Sequence, residues 1–149
     1  MRAVVQRVAQ ASVRVDGRDV ARIGRGFLVL AGFAKSDTPA TISWTARKVT
    51  SLRIFEDESG RMSLALDAVD GEMLVVSQFT LYGDVGKGAR PSFDDSAPPE
   101  EARAMYERFV DELRALLPGR VHTGEFQASM QVSLVNDGPV TILVEKSAA

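Results

Sequence analysis

The sequence predicts an α+β fold: a single compact domain over residues 1–149, of mostly antiparallel sheets with two main helices. Three observations carry this expectation. Short β-branched and apolar runs recur along the whole chain, bounded by Gly, Asn, Asp and Pro turns. Two well-separated segments repeat apolar residues at helical spacing. No linker, internal repeat or low-complexity tract divides the chain, and 149 residues suit one core.

Taken in order, Ala3–Val8 reads as a strand and Ala11–Val15 as another. Asp16-Gly17 is a hairpin turn, and Val20–Ile23 returns beside it. Phe27–Phe33 is continuously apolar, as a strand covered on both faces must be. Ser36-Asp37-Thr38-Pro39 supplies capping side chains and then a first-turn proline, so a helix starts there, with Ile42, Ala46 and Val49 on its inner face. Leu52–Phe55 and Met62–Leu66 read as strands around the turn EDESG, and Asp70-Gly71 turns into the next strand. After Phe93, DDSAPPEE reads as a helix start, with Asp94-Asp95 at the favourable N-terminal end. Ala102, Met105, Tyr106, Phe109, Val110, Leu113, Leu116 and Leu117 then form one wide apolar face, ended by Pro118-Gly119. Val121–Phe126, Met130–Val135 and Val140–Glu145 read as the last strands, the final two joined by a turn at Asn136-Asp137-Gly138-Pro139. Ser147–Ala149 reads as a frayed tail.

Composition narrows the function classes. Hydrophobic content of 45% and charged content of 26% are ordinary for a soluble globular domain. No apolar run is long enough to span a membrane, and MRAVVQRV lacks the apolar stretch of a signal peptide, so a cytoplasmic location is expected. The chain has no cysteine, which removes disulfides, thiolate nucleophiles and thiolate metal ligands together. A net charge of −2 argues against a generally basic nucleic-acid binder. Charge is uneven, however: residues 1–30 carry Arg2, Arg7, Arg14, Arg18, Arg22 and Arg25 against Asp16 and Asp19. Salt-sensitive contact with a polyanion through a local patch is one reading, and scattered solvated charges are the other.

The stretch EMLVVSQFTLYGDVGKGARPSF, residues 72–93, is the most informative. An apolar strand turns polar at Ser77, Gln78 and Thr80, as a strand leaving the core to line a site would. On an ideal strand Gln78 and Thr80 share one face, Phe79 and Leu81 the other. Glycines then surround Lys87, with Arg90 beyond, a combination suited to phosphate. A core strand with a soluble end and a flexible loop is the plain alternative.

The inventory restricts the chemistry. His122 is the sole histidine, on an expected strand, and no cluster has ligand spacing, so neither metal nor cofactor is expected. The GDVGKGARP loop has only superficial likeness to a phosphate-binding loop, because Gly88 follows Lys87 where Ser or Thr would be needed and no helix begins there. Thr80 is a candidate nucleophile, but no base for it is evident. Any reaction here should therefore be easy, or assisted by its own substrate.

Two motifs, SQFTLY (Ser77–Tyr82) and NDGPVT (Asn136–Thr141), resemble the paired signatures of the D-aminoacyl-tRNA deacylases. MRAVVQRV, ASVRVDG, LRIFEDESGRM, KGARPSF and MQVSLVNDGPVTILVE resemble that family in the same order, over nearly the whole chain. The resemblance implies a homodimer with active sites at the subunit interface. It implies hydrolysis of the ester between a D-amino acid and the tRNA 3′ end, a chiral proofreading step, and removal of mischarged glycine. Carried onto this chain, it places Ser77, Gln78, Phe79 and Thr80 around the scissile ester. It places Gly138-Pro139, with a cis peptide bond, in the partner's pocket as the filter against L-amino acids, steadied by Arg7. Phe126 and Met130 resemble pocket-wall residues, and Lys87 and Arg90 would meet the acceptor end of tRNA. Gln127 and Ser129 depart from the family, which usually has glycine and aspartate there, and both bear on substrate preference and terminal-adenosine contact.

Two other functions fit the residues alone. A noncatalytic RNA-binding module would use the same cations without needing the two motifs together. A small-molecule D-amino-acid ester hydrolase would use the same strand-end pocket without tRNA.

Overall fold

The computed structural model describes residues 1–148; Ala149, the last residue of the expected tail, lies outside them. In chain order the main strands are β1 (Arg2–Val15), β2 (Arg18–Ile23), β3 (Gly26–Gly32), the short pair β4 (Phe55–Glu56) and β5 (Met62–Leu64), β6 (Glu72–Ser77), β7 (Val121–Thr123) and β8 (Gln131–Glu145). The helices are α1 (Pro39–Ser51) and α2 (Pro99–Leu116). The main sheet runs β2-β1-β3-β6-β7, with β8 on the remaining edge of β1.

β1 is one strand rather than the two expected. It pairs antiparallel with β3 through its first half, with β2 through its second, and with β8 along nearly its whole length. The signal for a break was real but marks a bulge. Against β8, β1 advances from Val8 to Gln10 while β8 advances only from Asn136 to Val135. The extra residue switches the inward parity, so Val8 is followed into the core by Ala11, Val13 and Val15. β8 is likewise one strand. Opposite the step from Gln6 to Val8 it runs from Thr141 back to Asn136, so the expected turn at Gly138-Pro139 is a looped-out excursion and no chain reversal occurs.

The hairpin turn is as expected, with Asp16 (φ 51°) and Gly17 (φ 77°) both left-handed. β3, β6 and β7 are mutually parallel, so the sheet is mixed, and the two helices are the crossovers that parallel pairing requires. α1 is capped reciprocally: Thr41 N–H donates to Thr38 Oγ1 (3.4 Å) and Thr38 N–H to Thr41 Oγ1 (3.1 Å). α2 begins at Pro99, so Asp94-Asp95 lies in the preceding turn, and Glu100 and Glu101 occupy the acidic first-turn positions. Both helices cover one sheet face. Their cluster includes Phe27, Val29, Ala31, Met73 and Val75 from the sheet, with Ile42, Ala46, Tyr106, Phe109 and Leu113 from the helices. The other face, with Leu28, Leu74 and Val76, is closed by the second half of β1 and by Ile23 of β2. Two-sided burial accounts for the unbroken apolar runs of β3 and β6.

Three expected strands are shorter than the sequence suggests. Leu52 caps α1 and the Ile54 carbonyl is taken by Arg7, leaving only Phe55–Glu56 to pair. Met62–Leu64 gives way to a 3-10 turn at Leu66–Val69, and β7 stops at Thr123. No helix among the described residues is long and apolar enough to cross a membrane.

Candidate active site

The carboxyl ends of β3 and β6 lie side by side, with Ala31 opposite Ser77. Crevices form outside the carboxyl ends of parallel strands. Gln78 N–H makes the last bond to β3, donating to the Ala31 carbonyl at 2.8 Å. The chain then leaves the sheet in a 3-10 turn, Phe79–Tyr82, so Gln78–Leu81 do not alternate faces as an ideal strand would. Gly32 permits this: a Cβ there would sit 2.9 Å from the Gln78 carbonyl oxygen and 3.0 Å from Leu81 Cβ. Arg2 Nη1 donates to the Leu81 carbonyl at 2.8 Å and the Arg2 guanidinium stacks on the Tyr82 ring at 4.6 Å, fixing the far end of the turn.

The first N–H groups of any helical turn lack an intrahelical acceptor. Among the described residues, the N–H groups of Phe79 and Thr80 have no protein acceptor. Gln78 Nε2 donates to Thr80 Oγ1. Phe79 is 56% exposed and packs edge-on against Phe93 at 5.0 Å.

A cavity of about 670 Å³ opens beside this turn. Ser77, Gln78, Phe79, Phe126 and Met130 line it, with the first turn of α2 closing one side. Thr80 adjoins it through its bond to Gln78. Among the described residues, no side chain lining the cavity is ionisable. His122 lies elsewhere, 2.9 Å from a Glu72 carboxylate oxygen but out of hydrogen-bond alignment. Phe126 packs on Tyr106 at 5.7 Å, and the Tyr106 hydroxyl donates to the Val75 carbonyl at 2.8 Å. Burial raises the pKa of that phenol, which stays a neutral donor.

Gly138, Pro139 and Arg7 do not line the cavity. The Gly138-Pro139 bond is cis, as the resemblance implies. Asn136 brackets the loop, its Oδ1 accepting from Val140 N–H at 2.7 Å and its Nδ2 donating to the Val140 carbonyl at 3.2 Å. Arg7, only 7% exposed, donates from Nε to the Asp137 carbonyl (2.7 Å) and from Nη1 to the Ile54 carbonyl (2.8 Å). The loop is thus anchored from below, with Gly138 and Pro139 themselves exposed. Among the described residues β8 pairs only with β1, leaving its outer edge open, and Val135 and Leu143 (74% exposed) lie on that strand.

Lys87 and Arg90 sit in a loop pinned at its base by two backbone bonds between Asp84 and Ser92 (2.7 and 2.9 Å). Both are exposed and neither forms an ion pair among the described residues. The expected arginine patch is largely spoken for. Arg14 and Arg22 share Asp19 (2.9 and 2.8 Å), whose pKa their hydrogen bonds lower, Arg22 first. Arg2 pairs with Glu145, and Arg7 is buried.

Sequence reasoning missed Phe93, the Ala97–Pro99 segment and Arg103. Nothing in their spacing marks them; they reach the site because α2 starts beside β3. Gln127, the departure from the family expected to bear on substrate preference and terminal-adenosine contact, lines the cavity. Its backbone is left-handed (φ 63°), a conformation that glycine adopts freely, and the Arg103 guanidinium contacts both it and Phe126.

The family model described as D-Tyr-tRNA(Tyr) deacylase matches residues 4–145. The chain is 56% identical to the D-aminoacyl-tRNA deacylase of Thermotoga petrophila, over 99% of this chain and 98% of that one. It is 57% identical to the D-aminoacyl-tRNA deacylase of Desulfatibacillum aliphaticivorans, over 97% and 99%. Among solved structures, one described as a c-Myc DNA unwinding element binding protein superposes with a TM-score of 0.95 at 45% identity, covering 99% of this chain and 100% of that one. A second, a eukaryotic chain described as a probable D-amino acid tRNA deacylase, shares the fold at 20% identity and a TM-score of 0.83, covering 96% and 97%.

Proposed function

The chain belongs to the D-Tyr-tRNA(Tyr) deacylase family and hydrolyses the ester of D-aminoacyl-tRNA, and we propose that it does so with backbone donors rather than an ionisable side chain. The observation that carries this mechanism is the free pair of N–H groups at Phe79 and Thr80, beside a cavity lined by no titratable group. An aminoacyl ester is already activated, so the barrier is modest. Two fixed N–H donors aimed at the carbonyl oxygen stabilise the tetrahedral oxyanion without reorganisation. The ribose 2′-hydroxyl of the terminal adenosine assists from the substrate's side. Ser77 and Gln78 shape the floor beside the ester; Phe126 and Met130 form the wall.

Thr80 positions the ester and does not attack it, because no side chain in the cavity can take its proton. Thr80→Ala is expected to lower kcat about tenfold, the range of one weakened hydrogen bond, without abolishing turnover. A covalent aminoacyl adduct trapped on Thr80 would contradict this role.

The working unit is a homodimer in which the Gly138-Pro139 loop of one subunit enters the cavity of the other. Support comes from the open edge of β8, its exposed apolar side chains, and a loop that is anchored yet has no place in its own subunit's cavity. A site that accepts many D-amino acids cannot grasp the side chain. It fixes the α-ammonium on loop carbonyls and leaves no room for the opposite hand. Glycine has no side chain to collide and passes. Lys87 and Arg90 meet acceptor-end phosphates, and the place of action is the cytoplasm, where aminoacyl-tRNA is used.

The deciding experiment compares D-tyrosyl-, glycyl- and L-tyrosyl-tRNA with the pure protein. D-tyrosyl and glycyl esters are expected to be cleaved, and the L ester at least about a hundredfold more slowly, near 3 kcal/mol of discrimination. Equal rates on both hands would remove the chiral filter. Binding without cleavage would favour the noncatalytic module, and tRNA-independent turnover of simple D-esters the small-molecule hydrolase.

A further inference from the structure

The cavity has no charge of its own, yet the substrate's acceptor end carries one on every phosphodiester. Arg103, on the exposed side of the second turn of α2, is held against two cavity-lining residues. Its guanidinium lies over the Phe126 ring, 4.7 Å from the centroid, and Nη2 donates to Gln127 Oε1 at 3.3 Å. Phe126 in turn rests on Tyr106, whose hydroxyl is bonded to β6. The column Arg103–Phe126–Tyr106 therefore ties a cation to the sheet that carries the catalytic turn.

Arg103 has no carboxylate partner among the described residues, although Glu100 and Glu107 lie three and four positions away on its own helix. A guanidinium has five N–H donors, and one bond to Gln127 leaves most of them uncommitted. Stacking on one face and a single edge bond leave it oriented, which lowers the entropy lost on engaging a ligand. The neutral Gln127 can hold it without neutralising it.

We propose that Arg103, positioned by Gln127 and Phe126, binds the phosphodiester that joins the terminal adenosine to the preceding nucleotide, and so selects an RNA-borne ester over a free aminoacyl-nucleoside. The proposal rests on the deacylase reading of the cavity and names the part of the substrate that this rim recognises. Arg103 is a specificity residue and takes no part in bond cleavage. Lys87 and Arg90 sit on a separate loop and serve more distant phosphates.

The test uses three substrates with the full-length protein: D-tyrosyl-adenosine, the D-tyrosyl ester of the dinucleotide CpA, and D-tyrosyl-tRNA. The first lacks the phosphodiester and the second has only that one. Arg103→Ala is expected to lower kcat/KM on the dinucleotide and on tRNA about tenfold through KM, the scale of a charge-assisted hydrogen bond, and to leave D-tyrosyl-adenosine within about twofold. The slope of log kcat/KM against log salt on tRNA should fall by roughly 0.7, the value for one single-stranded phosphate. Gln127→Ala should show a smaller loss with the same substrate dependence, and Arg103→Lys should recover part of the loss. Equal losses on all three substrates would mean that Arg103 only braces Phe126, and no loss on any would mean that it does nothing; either overturns the proposal while the unmodified protein's turnover leaves the deacylase reading standing. An unmodified protein inert on D-tyrosyl-tRNA overturns both.

Discussion

Gly32→Ala is expected to cut kcat for D-tyrosyl-tRNA roughly a hundredfold while the protein still folds, the loss seen when one oxyanion donor is removed. The added Cβ would meet the Gln78 carbonyl oxygen at 2.9 Å, Leu81 Cβ at 3.0 Å and Leu81 Cδ1 at 3.4 Å. The first of these is backbone and cannot rotate away. That carbonyl also accepts the Leu81 N–H at 3.2 Å, so the 3-10 turn must move with it. The turn carries the Phe79 and Thr80 N–H groups, and a preorganised site tolerates displacements of only about 0.5 Å. The cores on either side of the sheet are untouched, so the stability cost should be about 1 kcal/mol, typical of a point substitution. Single-turnover kinetics at saturating protein report the chemical step, and thermal melts report the fold. KM should change little, because Phe126, Met130 and Arg103 remain in place. A kcat within threefold of the unmodified protein would show that the turn does not supply the donors.

The elements whose residues state their own geometry were legible in the sequence. Thr38-Pro39 marked the start of α1, Asp16-Gly17 the hairpin, and the apolar runs of β3 and β6 their burial on both faces. The mistaken breaks in β1 and β8 have one cause. Local signals report that the ladder is interrupted, but whether the chain reverses or bulges depends on the neighbouring strand. The two interruptions adjoin at the Val8–Asn136 pair: the Asn136–Thr141 excursion of β8 faces Gln6–Val8, and the extra residue of β1 at Val8–Gln10 faces Asn136–Val135. The alternation expected over Gln78–Leu81 failed because Gly32, forty-odd residues earlier, lets the chain fold in close. SQFTLY marked the turn beside the cavity and NDGPVT the anchored loop. The resemblance assigned the loop to the partner's pocket, and Gly138 and Pro139 do not line their own subunit's cavity; that Arg103 would lie against Phe126 belongs to packing, and neither motif could show it.

The separation of turn and loop leads to the largest expected effect. Gly138→Ala should inactivate the loop: its Cβ would lie 2.7 Å from Val140 N and 3.3 Å from Arg7 Nη2, on a backbone at φ +155°. Gly32→Ala damages the turn. Each variant alone should retain no more than about a hundredth of full activity. A twofold dimer uses the same patch on both subunits, so each of its two sites would combine one subunit's turn with the other's loop. In a mixed dimer of the two variants, one site receives both defects and the other receives neither. Unfolding the variants together and refolding an equal mixture makes half the dimers mixed. About a quarter of unmodified activity should therefore return, more than tenfold above either parent. A site built within one subunit would give only the average of the two parents. Arg7→Lys provides a second loop variant should Gly138→Ala fold poorly, since it keeps the charge but cannot serve both the Asp137 and Ile54 carbonyls as the guanidinium does. Sedimentation of the mixture fixes the dimer concentration against which recovery is scored. Recovery with both pairings would establish that the loop acts in the partner's cavity; averaging with both would confine the site to one subunit.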